Sequence, residues 1–270
     1  MKRKKGDTVY KITARVFLTV ALILLALPLF IMFRRSFERV GLLNYVDVIS
    51  NIRIGRSLLN SLYVVGLTIV LTVCVCSLAA YAFSKLQFRG KNILFIILLM
   101  GIMVPGSATL FPVFQITKAV GLMDKLTGLI GPYVTGNSIF GLLMLKIYYD
   151  SLPNELMEAA IIDGASSGQI FRKVYFPLSK AGLSILLINT FNGAWNELMT
   201  CITLINDKEK YTMSVLPYKY KLEVMANAMD TTQWPKIFAC MILCMIPIVI
   251  FYSFAQSLIF NGVSAGAVKG

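Results

Sequence analysis

Six stretches of this chain stay apolar over roughly the 20 residues that a helix needs to cross a hydrocarbon core. They lie near Val16 to Phe33, Leu58 to Phe83, Ile93 to Phe111, Leu126 to Lys146, Leu183 to Ile205 and Ile237 to Phe260. A segment in lipid must satisfy its own backbone polar groups, which leaves helices and closed barrels. The ten-residue alternation of barrel strands does not occur in these runs, so they read as helices. The expectation is an all-α polytopic membrane protein with six transmembrane helices in a single domain over residues 1–270. Composition agrees, with 57% hydrophobic and 14% charged residues, where soluble chains carry about a quarter charged.

Lys2, Arg3, Lys4 and Lys5, joined by Lys11 and Arg15, place the amino terminus in the cytoplasm by the positive-inside rule, and six spans return the carboxyl terminus there. The first apolar stretch is too long for a signal-peptide core and is followed by Phe33, Arg34 and Arg35 rather than small residues, so it is kept as a span. The net charge of +13 suits topology and attraction to anionic lipid, and no nucleic-acid role is needed. The chain has no histidine, which removes the commonest general base and metal ligand together. Cys74, Cys76, Cys201, Cys240 and Cys244 all sit in apolar runs, where they read as small reduced hydrophobes rather than disulfides or a metal site.

The loop from Ile147 to Gly182 is the longest on the inner side. Pro153 can open a short helix, Glu155 and Glu158 suit its positive end, and Leu156, Ala159 and Ala160 recur at helical spacing before Gly164 stops it. Ser166 with Gln169 fits a capping box that starts a second helix with the apolar stripe Ile170, Phe171 and Val174, ended by Pro177. Two short helices joined at Asp163 to Ala165 make an elbow. On its residues alone it is either a docking knob or a connector lying on the bilayer surface, which Arg172, Lys173 and Lys180 also suit.

The run Glu158-Ala159-Ala160, then Asp163-Gly164-Ala165, Phe171 and Phe176-Pro177-Leu178 resembles the EAA loop of binding-protein-dependent ABC importer permeases. From the second span onward the chain is similar to the carbohydrate branch of that family, and to its smaller, maltose-type permease subunit. Trp195-Asn196-Glu197-Leu198 and the closing Gly266-Ala267-Val268-Lys269-Gly270 carry the same likeness, with Leu198 and Phe176 as departures from its usual residues. The resemblance implies a permease subunit, not an enzyme, in the cytoplasmic membrane of a prokaryote. It implies as partners a second, unlike permease, two ATPases that bind ATP and Mg, and an extracytoplasmic solute-binding protein. The transported solute would be a carbohydrate, and an oligosaccharide in particular. By this likeness the elbow (Glu158, Ala159, Ala160, Asp163, Gly164, Ala165, Phe171 and Pro177) is the ATPase-coupling loop, with Glu158 for contact, Gly164 for the bend and Phe171 as anchor. The tail over 261–270, with Gly266 and Lys269, would reach between the ATPases; a Gly/Ala/Ser-rich tail is otherwise read as disordered. The chain has no G-x-x-x-x-G-K-[ST] phosphate loop, so ATP belongs to a partner.

In the fifth span Asn189, Asn192 and Asn196 share one face, beside Trp195 and Glu197. This stripe either lines a pathway for a neutral hydroxylated solute or forms hydrogen bonds between permease subunits. The outer loop 206–236 carries Tyr211, Tyr218, Tyr220 and Trp234. By the same likeness it reaches toward the binding protein; the alternative is a lid packed on the partner permease. An ion-coupled secondary transporter is the rival class, and only Glu197 offers it an embedded ionisable group.

Overall fold

The computed structural model of the protein describes residues 2–227 and 233–267. All regular structure among them is helical: α1 (Lys2–Ser36), α2 (Leu43–Asn51), α3 (Ile54–Lys85), α4 (Lys91–Met100), α5 (Gly106–Ala119), α6 (Thr127–Asp150), α7 (Glu155–Ile162), α8 (Ser167–Ile170), α9 (Phe176–Leu178), α10 (Lys180–Trp195), α11 (Met199–Leu204), α12 (Leu216–Asn227) and α13 (Trp234–Ala267). A π-helical turn over Phe171–Tyr175 joins α8 to α9. Among the described residues four helices are long and apolar enough to cross a membrane, Tyr10–Ser36, Ile54–Lys85, Thr127–Asp150 and Trp234–Gln256, and the number reaches six if each of two bent pairs is one span.

The stretch 93–111 is not one straight helix. Helices Lys91–Met103 and Gly106–Ala119 meet at 103°, because the ring of Pro105 excludes the helical conformation from the preceding residue and Val104 is extended, with ψ 116°. The stretch 183–205 is also divided, α10 ending at Trp195 and α11 starting at Met199. Pro177 does not end the second elbow helix. It sits in the first turn of α9, where its missing N–H costs nothing, and the 76° bend falls between Leu178 and Lys180. The last helix runs beyond residue 260 to Ala267.

The chain divides into two compact units, Met1–Ile52 with Pro217–Ile246, and Arg53–Leu216 with Pro247–Gly270. In the first, the described apolar side chains of α1 face outward along its length. Asn44 of α2 donates to the carbonyls of Ser36 (2.8 Å) and Glu38 (3.0 Å), pinning the turn after α1. An ion pair joins Lys236 to Asp47 at 2.5 Å.

The second unit is organised by α3, α6 and α10. Lipid supplies no hydrophobic force between helices, so close approach and dispersion hold them. Gly141 of α6 shows how close they come: a Cβ there would lie 2.5 Å from Leu186 Cδ1 and 3.2 Å from Cys76 Sγ. Cys76 bonds the Ser138 carbonyl and Ser84 bonds Asp150, so α3 and α6 run parallel. Their shared core of Tyr81, Phe83, Leu145, Tyr149, Ile170, Tyr175 and Leu186 lies at the end that carries the elbow.

Candidate functional site

The elbow is built from local signals. Helix α7 begins at Glu155 behind Asn154, two residues later than Pro153 at the first helical position would set it. At its end Gly164 adopts φ +76°. Its N–H donates to Ile161 O (2.9 Å) and that of Ala165 to Ala160 O (3.0 Å), a pair of bonds that closes a helix through a left-handed residue and favours glycine there. Ser166 and Gln169 form the capping box, at 3.4 and 2.8 Å.

Which faces point inward differs partly from the helical spacing. On α7 the residues packed on the core are Met157 and Ala160, while Leu156, Glu158, Ala159 and Asp163 are exposed. Ile161 and Ile162 are also exposed, at 54% and 85%, an apolar tip on a helix whose first turn is acidic. Phe171 is half-buried, its ring 5.3 Å from that of Tyr81 and 5.7 Å from that of Phe176, so it anchors the elbow to its own chain. Tyr175 is fully buried among Tyr81 and Tyr149, at 5.4 and 6.0 Å. Burial pushes its phenol up, with Tyr81 and Glu155 adding to the effect. Each such ring pair adds roughly 0.5–1.5 kcal/mol beyond area burial. Gly164 and Pro177 are exposed and Ala165 is half-buried.

The polar stripe is divided by the break after α10. Asn189 is half-buried, whereas Asn192 and Asn196 are exposed and bonded to each other, Asn196 Nδ2 donating to Asn192 Oδ1 (2.7 Å) and O (2.9 Å). Trp195 is buried and stacked on Phe191 at 5.2 Å, and Phe191 stacks on Phe251; the indole therefore packs inside the chain. Glu197 accepts the Thr200 N–H at both oxygens (3.1 and 3.0 Å) and the Cys201 N–H at 3.3 Å. It caps α11. The buried hydroxyls of Thr68 and Thr72 on α3, Ser138 on α6 and Thr190 on α10 have no hydrogen-bond partner among the described residues, and helical periodicity alone does not mark them.

Residues 206–215 form an ordered strap. Asp124, itself left-handed at φ 58°, accepts the N–H groups of Asn206 (3.1 Å) and Asp207 (3.0 Å) on one oxygen and donates its own N–H to Leu204 O (2.9 Å). Asn60 of α3 donates to the carbonyls of Glu209 (2.8 Å) and Tyr211 (3.1 Å), Ser61 accepts the Met213 N–H (2.8 Å), and Arg53 pairs with Glu209. Lys210 meets Asp207 at 3.1 Å and Asp124 at 3.8 Å. Tyr211 and Tyr220 are each 7% exposed, while Tyr218 is open at 41% and Trp234 is half-buried with Lys221 Nζ 5.5 Å from its ring centroid. Burial pushes the Tyr220 phenol up to about 12. Gly266 falls in the last turn of α13, and Lys269 lies outside the described residues.

Residues 72–264 match the family described as binding-protein-dependent transport system inner membrane component. The chain is 34% identical over 231 residues to the trehalose transport system permease protein SugB of Mycobacterium tuberculosis, covering 84% of this chain and 81% of that one. It is 31% identical over 229 residues to the trehalose/maltose transport system permease protein MalG of Thermococcus litoralis, with the same coverage, 84% and 81%. A crystal structure of a bacterial ABC transporter involved in the import of the acidic polysaccharide alginate superposes with a TM-score of 0.77 over 93% of this chain and 97% of that one; at 22% identity the likeness is one of fold.

Proposed function

Since this chain belongs to the family of binding-protein-dependent transport system inner-membrane components, we propose that its elbow over residues 147–182 couples ATP hydrolysis to the movement of an oligosaccharide. The chain is a multi-pass permease subunit of an ABC sugar importer, not an enzyme, and ATP is bound and hydrolysed by the partner ATPases. The observation that carries the coupling reading is the tip of α7: Ile162, 85% exposed, and Ile161 beside Glu158 and Asp163 form an apolar knob with an acidic rim on a rigidly closed helix. A projecting anchor of this kind suits a cleft in a second protein. In this reading Phe171 positions the knob from beneath, and both chain termini lie on the elbow's side of the membrane.

The solute reading is finer. Trehalose and maltose in the relatives' names are disaccharides, and exposed Asn192 and Asn196 offer amides to hydroxyl groups. The pathway then uses the asparagines with Asn189, while Trp195 and Glu197 hold the break between α10 and α11. The open side chain of Tyr218, with Trp234 in support, would meet the binding protein. A second, unlike permease would complete the pore, and the tail with Gly266 and Lys269 would contact the ATPases. Alternating access follows if ATP-driven closure of the ATPases moves the elbow and shifts the equilibrium between inward-open and outward-open states.

The test is solute-stimulated ATP hydrolysis in vesicles holding this chain, its partner permease, the ATPase and the binding protein. Ile162→Glu should abolish ATPase capture, and Gly164→Pro, which cannot adopt φ +76°, should abolish stimulation while the permeases remain paired. A solute gradient that builds without ATP, and is indifferent to both substitutions, overturns the reading.

A further inference from the structure

Lys85 is the last residue of α3 and is only 8% exposed. Its ammonium donates to the Leu152 carbonyl and to Asn154 Oδ1, both at 2.8 Å, and stands 5.3 Å from the centroid of the Tyr175 ring. Leu152 and Asn154 belong to the chain entering α7, and Tyr175 closes the π-helical turn on the returning limb. One buried cation thus grips both limbs of the elbow and ties them to one membrane helix. An ammonium carries three donors and no acceptor; two meet oxygens here, and the positive group also faces an aromatic ring, which attracts it.

The other contacts between α3 and the elbow differ in kind. Tyr81 donates one bond to the Ser167 carbonyl at 3.1 Å and packs by ring faces against Phe171 and Tyr175. Ring faces slide with little loss, whereas two directional bonds from one ammonium fix a register. We propose that Lys85 is the positioning residue through which a displacement of the elbow is passed to α3. This rests on the reading of the elbow as the ATPase-coupling loop.

Lys85→Met keeps the apolar stem and removes the grip. The aromatic cluster still seats the elbow, so the ATPase still docks at Ile161 and Ile162, but its motion is not handed on. In the full reconstituted complex, solute taken up per ATP hydrolysed should fall about tenfold, within the range of ordinary allosteric couplings, while basal hydrolysis and ATPase capture stay at wild-type levels. Lys85→Arg, always cationic and richer in donors, should restore most of the ratio. Asn154→Ala, which removes one acceptor from an exposed position, should lower the ratio in the same direction. If uptake and hydrolysis fall together at constant ratio, or the Lys85→Met ratio equals wild type, the proposal is overturned. Should Lys85→Met not assemble, Asn154→Ala decides alone: a wild-type ratio overturns the proposal and a lowered one supports it. Ile162→Glu separates the two levels, because retained ATPase capture and stimulation in that variant defeats the coupling-loop reading whatever Lys85 does.

Discussion

Glu197 is the residue on which the sequence would rest an ion-driven mechanism, and its carboxylate is engaged by the amides at the start of α11. Helix α11 has six residues, too few to be stable alone, and its leading N–H groups have no partner within the helix. The Glu197 carboxylate supplies one, accepting from Thr200 and Cys201 at 3.0 to 3.3 Å. Losing such a cap costs roughly 1–2 kcal/mol, with the negative charge near the helix start contributing part of it. Glu197→Ala should therefore speed hydrogen exchange at the Thr200 and Cys201 amides by about 5- to 30-fold, the ratio that one or two kcal/mol represents. Glu197→Gln keeps an accepting oxygen and should lose only about 0.3–1 kcal/mol. The assay is exchange mass spectrometry on the protein in lipid discs. It is paired with uptake in vesicles treated with a protonophore, which should leave ATP-driven transport unchanged for wild type and for Glu197→Gln. The reasoning is refuted if exchange at α11 is unaltered in Glu197→Ala while dissipating the ion gradient stops wild-type uptake; Glu197 would then be the coupling carboxylate.

Gly141→Val forces a branched side chain against Leu186 and Cys76 and should destabilise the bundle by about 1–3 kcal/mol, read as a lower melting temperature in detergent. Ser166→Ala removes the capping box of α8 at a cost of about 0.5–2 kcal/mol, and exchange should rise at the amides of Ser167 to Ile170 with little change elsewhere. The Asp207 carboxyl is held below its ordinary 3.8, first by the Glu209 N–H and then by Lys210, so its contribution to the strap is complete above 3.8 and is lost as pH falls through the lower folded value. Lys210 is raised above 10.5 by Asp207, and its contribution is complete below 10.5 and lost above the higher folded value. Strap protection against exchange, corrected for intrinsic chemistry, should be flat across the neutral range; a loss of protection between mildly acidic and neutral pH contradicts this account.

What could be read from the residues is what depends on neighbours in the chain. The apolar stretches, the left-handed stop at Gly164 and the box of Ser166 and Gln169 are local signals: four of the stretches fall in single long apolar helices, two are broken, and Gly164 and the box stand where the spacing puts them. Pro105 bars a helical Val104 and so marks a break, but nothing local to it sets the 103° angle. The strap was less legible. Read as an aromatic-rich outer loop, it is ordered by Asp124 and Asn60, residues roughly 80 and 150 positions away in sequence, and so Tyr211 faces inward. Phe171 is ambiguous in sequence for a related reason: periodicity marks an apolar face but not its partner, and here the ring packs against Tyr81. The same ambiguity hid Ile161 and Ile162, which sit beside the packed positions on α7 but point away from the core.

Asp124, Asn60 and Ser61 fasten the strap at separate points to the turn before α6 and to the start of α3, while Ser214 binds back to the Glu197 carbonyl at 2.8 Å. Mechanically these fasteners act in parallel, not in series. A tug on residues 206–214 is shared by the turn before α6, the start of α3 and the start of α11 instead of peeling one bond after another, as a seam would tear. The load on the strap is thereby divided among several anchors and is not borne by one bond.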